Sequence, residues 1–432
     1  MKKEHMGIKI SAITLIILAA VVFCCGCTGT EATAVAPEGG QDITVGGVLL
    51  PLTGDFSEAG EAGQAALGGV AAVDINDYFA SIGSDYRVRL VIEDTQTDPA
   101  VALEKLQELD NQGGIRMVIG PGSSAELEAI RTYADRHGIL IVSTMSTAPS
   151  LAIAGDNVFR FVPPDTFQAD ATAYYLEKDG ITAVVPVWRG DIWGDELRNL
   201  TAAAFGNRSG TVLDGVRYIP NSEDYSNVVA ELDRMVGRAI ATQGKENVGV
   251  YAVTFNEATA IMTAAAETEN LTQVQWYGCD GNTLLGSLTK PGDAARFAAQ
   301  TNFTGPVIGD ATLNPDRDDG VIYLKIQNRL GRQPDGYSLA SYEALWIVAL
   351  TETQTDSKDA PELKNALTEM TGGKIRGPFF SVVDLDAAGD RSNPRYCFWS
   401  VKADGDSSRW VLVVRYDIRY EGKSPKLRPI SA

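Results

Sequence analysis

The sequence predicts an α/β protein of two similar lobes, each built on a parallel sheet. Three observations carry this. Short apolar runs alternate with helix-spaced apolar residues from residue 43 to about 150. An extended run with two prolines, Pro163 and Pro164, then breaks the rhythm. The alternation restarts near Thr166 and continues past residue 300. At 432 residues the chain is also too long for one ordinary core.

The elements follow in order. Residues 43–50 form an apolar run ended by Pro51, a first strand, and Thr53-Gly54-Asp55 makes a turn. Ala66, Val70 and Val73 give the rhythm of one buried helix face. Residues 87–93 read as a second strand. Asp98-Pro99 starts a helix, with Asp as N-cap and Pro at the first helical position, and Gly113-Gly114 stops it. Residues 116–120 form a third strand, 125–136 a helix with Leu127, Ile130 and Ala134 inward, and 138–143 a fourth strand. The second round has strands at 181–187, 211–218, 247–253 and 273–277. Helices separate them, one opening at about Gly194 and one running from Asn227 to about Arg238. After Gly305-Pro306 come helices over 320–330, 339–350 and 361–370. Alternating strands at 379–385, 396–402 and 410–416 close the chain, with Asp404-Gly405 as a hairpin turn.

Composition narrows the function. Hydrophobic residues make up 44% and charged residues 22%, the balance of a globular protein. The net charge of −19 would repel a phosphate backbone and argues against nucleic acid as a partner. Lys2, Lys3 and Lys9 precede an apolar core from Ile10 to Phe23, which is shorter than a spanning helix needs and matches an export signal. Gly26-Cys27 resembles a lipobox, so residues 1–27 are expected to be a signal with lipidation at Cys27, although Cys24 stands where an aliphatic residue is usual. An uncleaved N-terminal anchor is the rival reading. Either way the body lies outside the cytoplasm, attached to the membrane. Residues 28–42 are small and polar, a tether. Only Cys279 and Cys397 remain beyond the signal, so one bridge or two buried thiols are expected, with the thiols favoured. Asn199, Asn207, Asn270 and Asn302 head sequons.

Two turns carry the chemistry. Gly120-Pro121-Gly122-Ser123-Ser124 ends one apolar run and Ser143-Thr144-Met145-Ser146-Thr147-Ala148-Pro149 ends the next. Each would open a helix, where unpaired N–H groups and the helix dipole favour a carboxylate. Ser124 and Ser146 or Thr147 would serve as plain N-caps in the alternative. Two such turns at the carboxyl edge of a parallel sheet favour a ligand site. Catalytic motifs are missing beyond the signal: residues 28–432 hold no Gly-x-Ser-x-Gly elbow, His-Glu-x-x-His pair, Walker A loop or Cys-x-x-Cys pair. His137 ends a predicted helix and reads as a surface or capping residue. Asp316, Asp318 and Asp319 read as a solvated loop, with a calcium site a distant second. No enzyme activity, cofactor or metal is expected.

From residue 43 to about 416 the chain resembles the leucine/isoleucine/valine-binding proteins, the type I solute-binding receptors of ABC importers. The matching pieces are Gly47-Val48-Leu49-Leu50-Pro51-Leu52-Thr53-Gly54 with Gly60, Asp94 to Asp98-Pro99, the two turns above, and Phe159-Arg160 to Asp165 and Gln168. The resemblance implies two Rossmann-like lobes joined by three crossovers, near Arg160, 304–306 and 375–377, closing on a ligand. Residues 43–160 with 306–375 would form lobe 1, and 161–305 with 376–420 lobe 2. It also implies that Ser124, the Met145 backbone and Thr147 hold the charged groups of an amino acid. Asp280 in Gly278-Cys279-Asp280-Gly281 would take the ammonium; a plain turn role for Asp-Gly is the alternative. Trp193 and Phe255 would pack on the ligand, either ring being equally at home in a core or rim. Ala59 replaces an aromatic lid of many members, so leucine specificity does not carry over. The expected function is capture of an amino acid, of branched-chain type or related, or a small amide, and delivery to the permease subunits of an ABC importer. The alternative is a binding protein that reports to a separate membrane signalling partner. The polar tail 421–432 holds no span, which favours the importer.

Overall fold

The computed structural model describes residues 41–309, 318–355, 359–371, 383–392, 395–417 and 426–429. The first sheet holds β1 (Gln41–Leu50), β2 (Tyr86–Asp94), β3 (Met117–Ile119), β4 (Leu140–Ser143) and β5 (Val158–Arg160) in the order β2-β1-β3-β4-β5, every pair parallel. Its central strands are covered on both faces: Val48 to Leu50, Met117 to Ile119 and Leu140 to Val142 are all fully buried. A strand buried on both sides reads as a continuous apolar run, which is how these segments appear in the sequence.

The second sheet holds β6 (Ala183–Arg189), β7 (Thr211–Val212), β8 (Val216–Tyr218), β9 (Val248–Val253), β10 (Gln275–Tyr277) and β11 (Thr304–Ile308), paired in parallel. Antiparallel β12 (Tyr396–Asp404), β13 (Ser407–Asp417) and β14 (Lys426–Pro429) extend it beyond β11. The order is β14-β13-β12-β11-β10-β9-β6-β7, with β8 also on β6. Strand order reverses between β1 and β3 in one sheet and between β6 and β9 in the other. Such switch points leave a crevice at the strands' carboxyl ends, where α/β proteins bind ligands.

Local chemistry starts the helices that flank these crevices. The Asp98 carboxylate accepts from the Ala100 and Val101 amides, with Pro99 in the first turn. Ser123 and Glu126 form a reciprocal capping box before the helix Ser124–His137. Asp191 and Asp335 cap two more helices through Gly194 and Ser338. The helix Gly336–Gln354 packs on the helix Ser57–Ala66 and on β1, so the chain returns to the first lobe before β12 rejoins the second sheet. Two buried ion pairs anchor the segment at Asp390-Arg391, one to the end of β5 and one to the helix Gly336–Gln354. Arg160, at the end of β5, holds Asp390 bidentately, and Arg391 donates to Glu343 at 2.6 Å.

Three elements differ from expectation. The helix after β1 contains a π-helical turn, Leu67–Ala71, between Ser57–Ala66 and Ala72–Ser81. That extra residue rotates the buried face: Ala71, Ile75 and Phe79 point inward, and Val73 is 50% exposed. The turn after β4 opens only a single 3₁₀ turn, Pro149–Leu151. The strand expected over 211–218 is split by Leu213 to Gly215 into β7 and β8. The strand expected at 379–385 lies mostly outside the described residues, as do Cys27 and the acid run at Asp316. Cys279 and Cys397 are both buried.

Candidate functional site

The first wall of the cleft comes from the loops after β3 and β4, adjacent because Ile119 pairs with Val142. Gly120 makes the loop possible. Its φ is +115°, and a side chain there would strike the Leu49 carbonyl at 2.1 Å. Ser123 is the N-cap, a correction to the reading of Ser124 as the cap; Ser124 is the first helical residue. Its Oγ instead reaches the next loop, accepting from the amides of Thr147 (3.3 Å) and Ala148 (3.2 Å) and from the Ser146 hydroxyl (3.0 Å). The Thr147 hydroxyl donates to Asp165 at 2.9 Å. The Met145 side chain lies against Gly63.

A hydrogen-bond chain then crosses to the second wall. Asp165 accepts from the Gln168 amide at 2.7 Å, and the Gln168 carbonyl accepts from the Asp280 N–H at 2.8 Å. Both acids are buried. Burial, and next the charge of Asp280, push the Asp165 pKa well above the carboxylate range. Burial also raises Asp280, against the pull of the Tyr337 hydroxyl and Gln168, which lie near without meeting hydrogen-bond geometry at its carboxylate. Neither Asp280 oxygen has a hydrogen-bond partner, a costly arrangement for a buried acid.

The aromatic side chains meet beside Asp280. Trp193 and Phe255 stack with ring centroids 4.6 Å apart. A side chain on Gly281 would strike both rings at 2.8 Å, so glycine there lets the Asp280 turn lie against the stack. Phe56, from the opposite lobe, stacks on Phe255 at 4.0 Å and meets Tyr337 edge-on at 5.8 Å. Beneath Phe255 lies Arg189, 4.1 Å from the ring centroid and bonded to Glu257 and Asp191, both at 2.6 Å. Burial opposes the Arg189 charge, but Glu257 and Asp191 hold it firmly protonated.

The lobes also meet around Phe56. The Asp55 carbonyl accepts from Asn256 N–H (2.9 Å) and its carboxylate from Asn221 N–H (3.0 Å). The Ser57 hydroxyl accepts from the Asn256 amide at 2.9 Å, and Glu58 accepts from the Gly286 (2.5 Å) and Ser287 (3.1 Å) amides. A narrow pocket remains, walled by Phe56, Ala59, Asp280 and Gly281 with Arg332 and Tyr337. Of the six singled-out residues, Asp280 lines this pocket, Trp193 and Phe255 stack beside its turn, Thr147 is joined to it through Asp165 and Gln168, and Ser124 and Met145 belong to the first wall. Phe56 and Arg189 had no reading in the sequence. Asp165 and Gln168 stood in a recognised motif but without a role.

His137 sits at the helix end before Gly138, stacked on Tyr133 and 2.7 Å from Asp110, at the surface. Among the described residues no cluster of His, Cys, Asp and Glu could hold a metal ion. No helix among them is long and apolar enough to cross a membrane.

The sequence profile of the family described as periplasmic binding protein matches residues 43–407. The chain is similar to an uncharacterized protein of Methanocaldococcus jannaschii, 28% identical over 93% of this chain and 96% of that one. It is similar to a Leu/Ile/Val-binding protein homolog of Brucella melitensis, 28% identical over 88% and 96%. Its fold is similar to that of an ABC transporter substrate-binding protein of Desulfitobacterium hafniense solved in complex with Leu. That match has a TM-score of 0.62 at 20% identity, covering 86% of this chain and all of the other.

With the family match, the two-lobed α/β fold with a switch point in each sheet is that of a solute-binding protein. The chain belongs to the type I periplasmic binding proteins, the family of the Leu/Ile/Val-binding proteins.

Proposed function

We propose that the cleft captures an amino acid or a small amide and delivers it to the permease of an ABC importer. In this reading the protein is held at the membrane by a lipid on Cys27. One observation carries the ligand class: the buried Asp280 carboxylate faces the pocket without a partner on either oxygen. A ligand ammonium at about 4 Å gains roughly 4 kcal/mol at an effective dielectric near 20, and it offsets the cost of burying the acid. A plain carboxylate ligand would offer Asp280 no cation to favour its ionised form.

The ligand carboxylate falls to the first wall. The Thr147 and Ala148 amides now bond a neutral hydroxyl at 3.2–3.3 Å. An ionised carboxylate is a stronger acceptor, so exchanging one for the other is favourable. Trp193 and Phe255 would bound the ligand on its apolar side, and the Met145 backbone would complete the polar set. Contact with both walls is required, because only differential affinity for the closed form shifts the lobes.

The test is a thermal-shift screen of the full chain with L-alanine, alaninamide, ethylamine and propionate. At a hundred times its dissociation constant a ligand adds about 2.7 kcal/mol of stability. The reading requires shifts with the first or second and none with propionate alone. A shift with propionate that matches L-alanine would remove Asp280 from the ammonium site.

A further inference from the structure

Resting on the proposed amino-acid site, we infer that Phe56 sets ligand size. Its ring fills the aromatic cradle of the second lobe and restricts the cleft to small α-amino acids. The observation is a stack that crosses the lobes. Phe56 lies on Phe255 with the ring planes 19° apart, and Phe255 lies on Trp193 at 22°. The three rings are at most 3% exposed. Phe56 therefore covers the face of Phe255 on which a ligand's apolar side chain would otherwise pack.

Phe56 is held there from both sides. Its N–H donates to Thr97 Oγ1 at 3.1 Å within the first lobe. Its neighbours Asp55, Ser57 and Glu58 hydrogen-bond to Asn221, Asn256, Gly286 and Ser287 of the second. The ring cannot swing aside without giving up contacts that close the lobes. Phe56 and Asp280 also wall the same pocket. A ligand whose ammonium meets Asp280 therefore carries its side chain toward the Phe56 ring. The other walls mix polar groups, Asn256, Thr283 and Arg332, with Leu284 and Leu285. Added methyl groups there meet a packed ring, and overpacking costs more than their burial returns. Ala59, small and buried beside the ring, leaves room for Phe56 where a larger residue would compete with it.

Titration calorimetry on the full chain tests this, with L-alanine and L-serine against L-leucine and L-phenylalanine. The wild type is expected to bind L-alanine or L-serine at least ~100-fold more tightly than L-leucine, the scale a filled pocket imposes for extra methylenes. Phe56→Ala is expected to shrink that ratio at least ~10-fold by strengthening L-leucine, and Phe56→Leu, which keeps most of the packing, to move it the same way by less. Preference of the wild type for L-leucine, or an unchanged ratio in both variants, overturns the assignment while the amino-acid site stands. If neither size class of amino acid binds, the amino-acid site itself fails, and the role of Phe56 with it.

Discussion

The two walls of the cleft satisfy their polar groups in opposite ways. On the first, every hydroxyl named has a partner: Ser124, Ser146 and Thr147 bond to one another's groups or to Asp165. On the second, Asp280 is buried with both carboxylate oxygens unpartnered. The first wall is neutral and self-satisfied, so it can orient a ligand by exchanging weak bonds for stronger ones at little net gain. The second wall holds an unpartnered buried acid, and a cation there, by favouring its ionised form, gains the most. The difference teaches where affinity and where geometry reside. In the proposed function, selection for an ammonium would belong to Asp280, while Ser124 and Thr147 would fix the ligand's direction.

The strongest test of that division is Asp280→Ala. Removing one partner of a buried charge pair costs about 2–5 kcal/mol of affinity, so L-alanine binding should fall below detection by calorimetry. The free protein should become more resistant to urea, because an unpartnered buried acid is lost. A variant that binds as the wild type does would place the ammonium elsewhere. Ser124→Ala should do less. It removes one exchangeable acceptor and donor on the neutral wall, weakening binding by about 1–3 kcal/mol and leaving selectivity over propionate intact. Loss of that selectivity in Ser124→Ala would erase the contrast between the walls.

Much of this was legible in the sequence because it is local. Asp98-Pro99 and the continuous apolar strands announce a cap and a doubly covered sheet through neighbouring residues alone, whereas from sequence the cap at Ser123 falls one residue late, at Ser124. The convergence of Ser124, Thr147 and Asp280 was legible only through family resemblance, since Thr147 and Asp280 are 133 positions apart and joined through Gln168. What stayed hidden depends on tertiary packing. The π turn at Leu67–Ala71 leaves the apolar spacing of Ala66, Val70 and Val73 unchanged in sequence yet turns Val73 outward. Phe56 lies in a turn whose sequence signals only a loop, and its stacking partner is 199 positions on. The nearby Asp55 and Glu58 resemble ordinary surface acids until the opposite lobe supplies their donors.

The smallest effect is the one that separates the walls by protonation. Asp280 and Asp165 are both raised above the ordinary 3.8 of an aspartate, by burial first and, for Asp165, next by the charge of Asp280. The folded state thus holds protons that the unfolded chain releases above that value. Stability follows the difference in bound protons, so these two groups lower it as pH rises from 3.8 through their folded values, and favour the fold below that. Asp156 behaves alike between 3.8 and about 6, raised by burial and by Asp135 against the Val158 amide and Lys364. The first wall's hydroxyls contribute nothing to the slope. Urea midpoints of the full chain across this range should therefore decline more steeply with pH in the wild type than in Asp280→Asn. Saturating L-alanine should flatten the wild-type slope toward that of the variant, because the ligand's ammonium favours the ionised acid. Ser124→Ala should track the wild type throughout. An equal slope in wild type and Asp280→Asn would mean that the acid has found a partner, and the asymmetry between the walls would be gone.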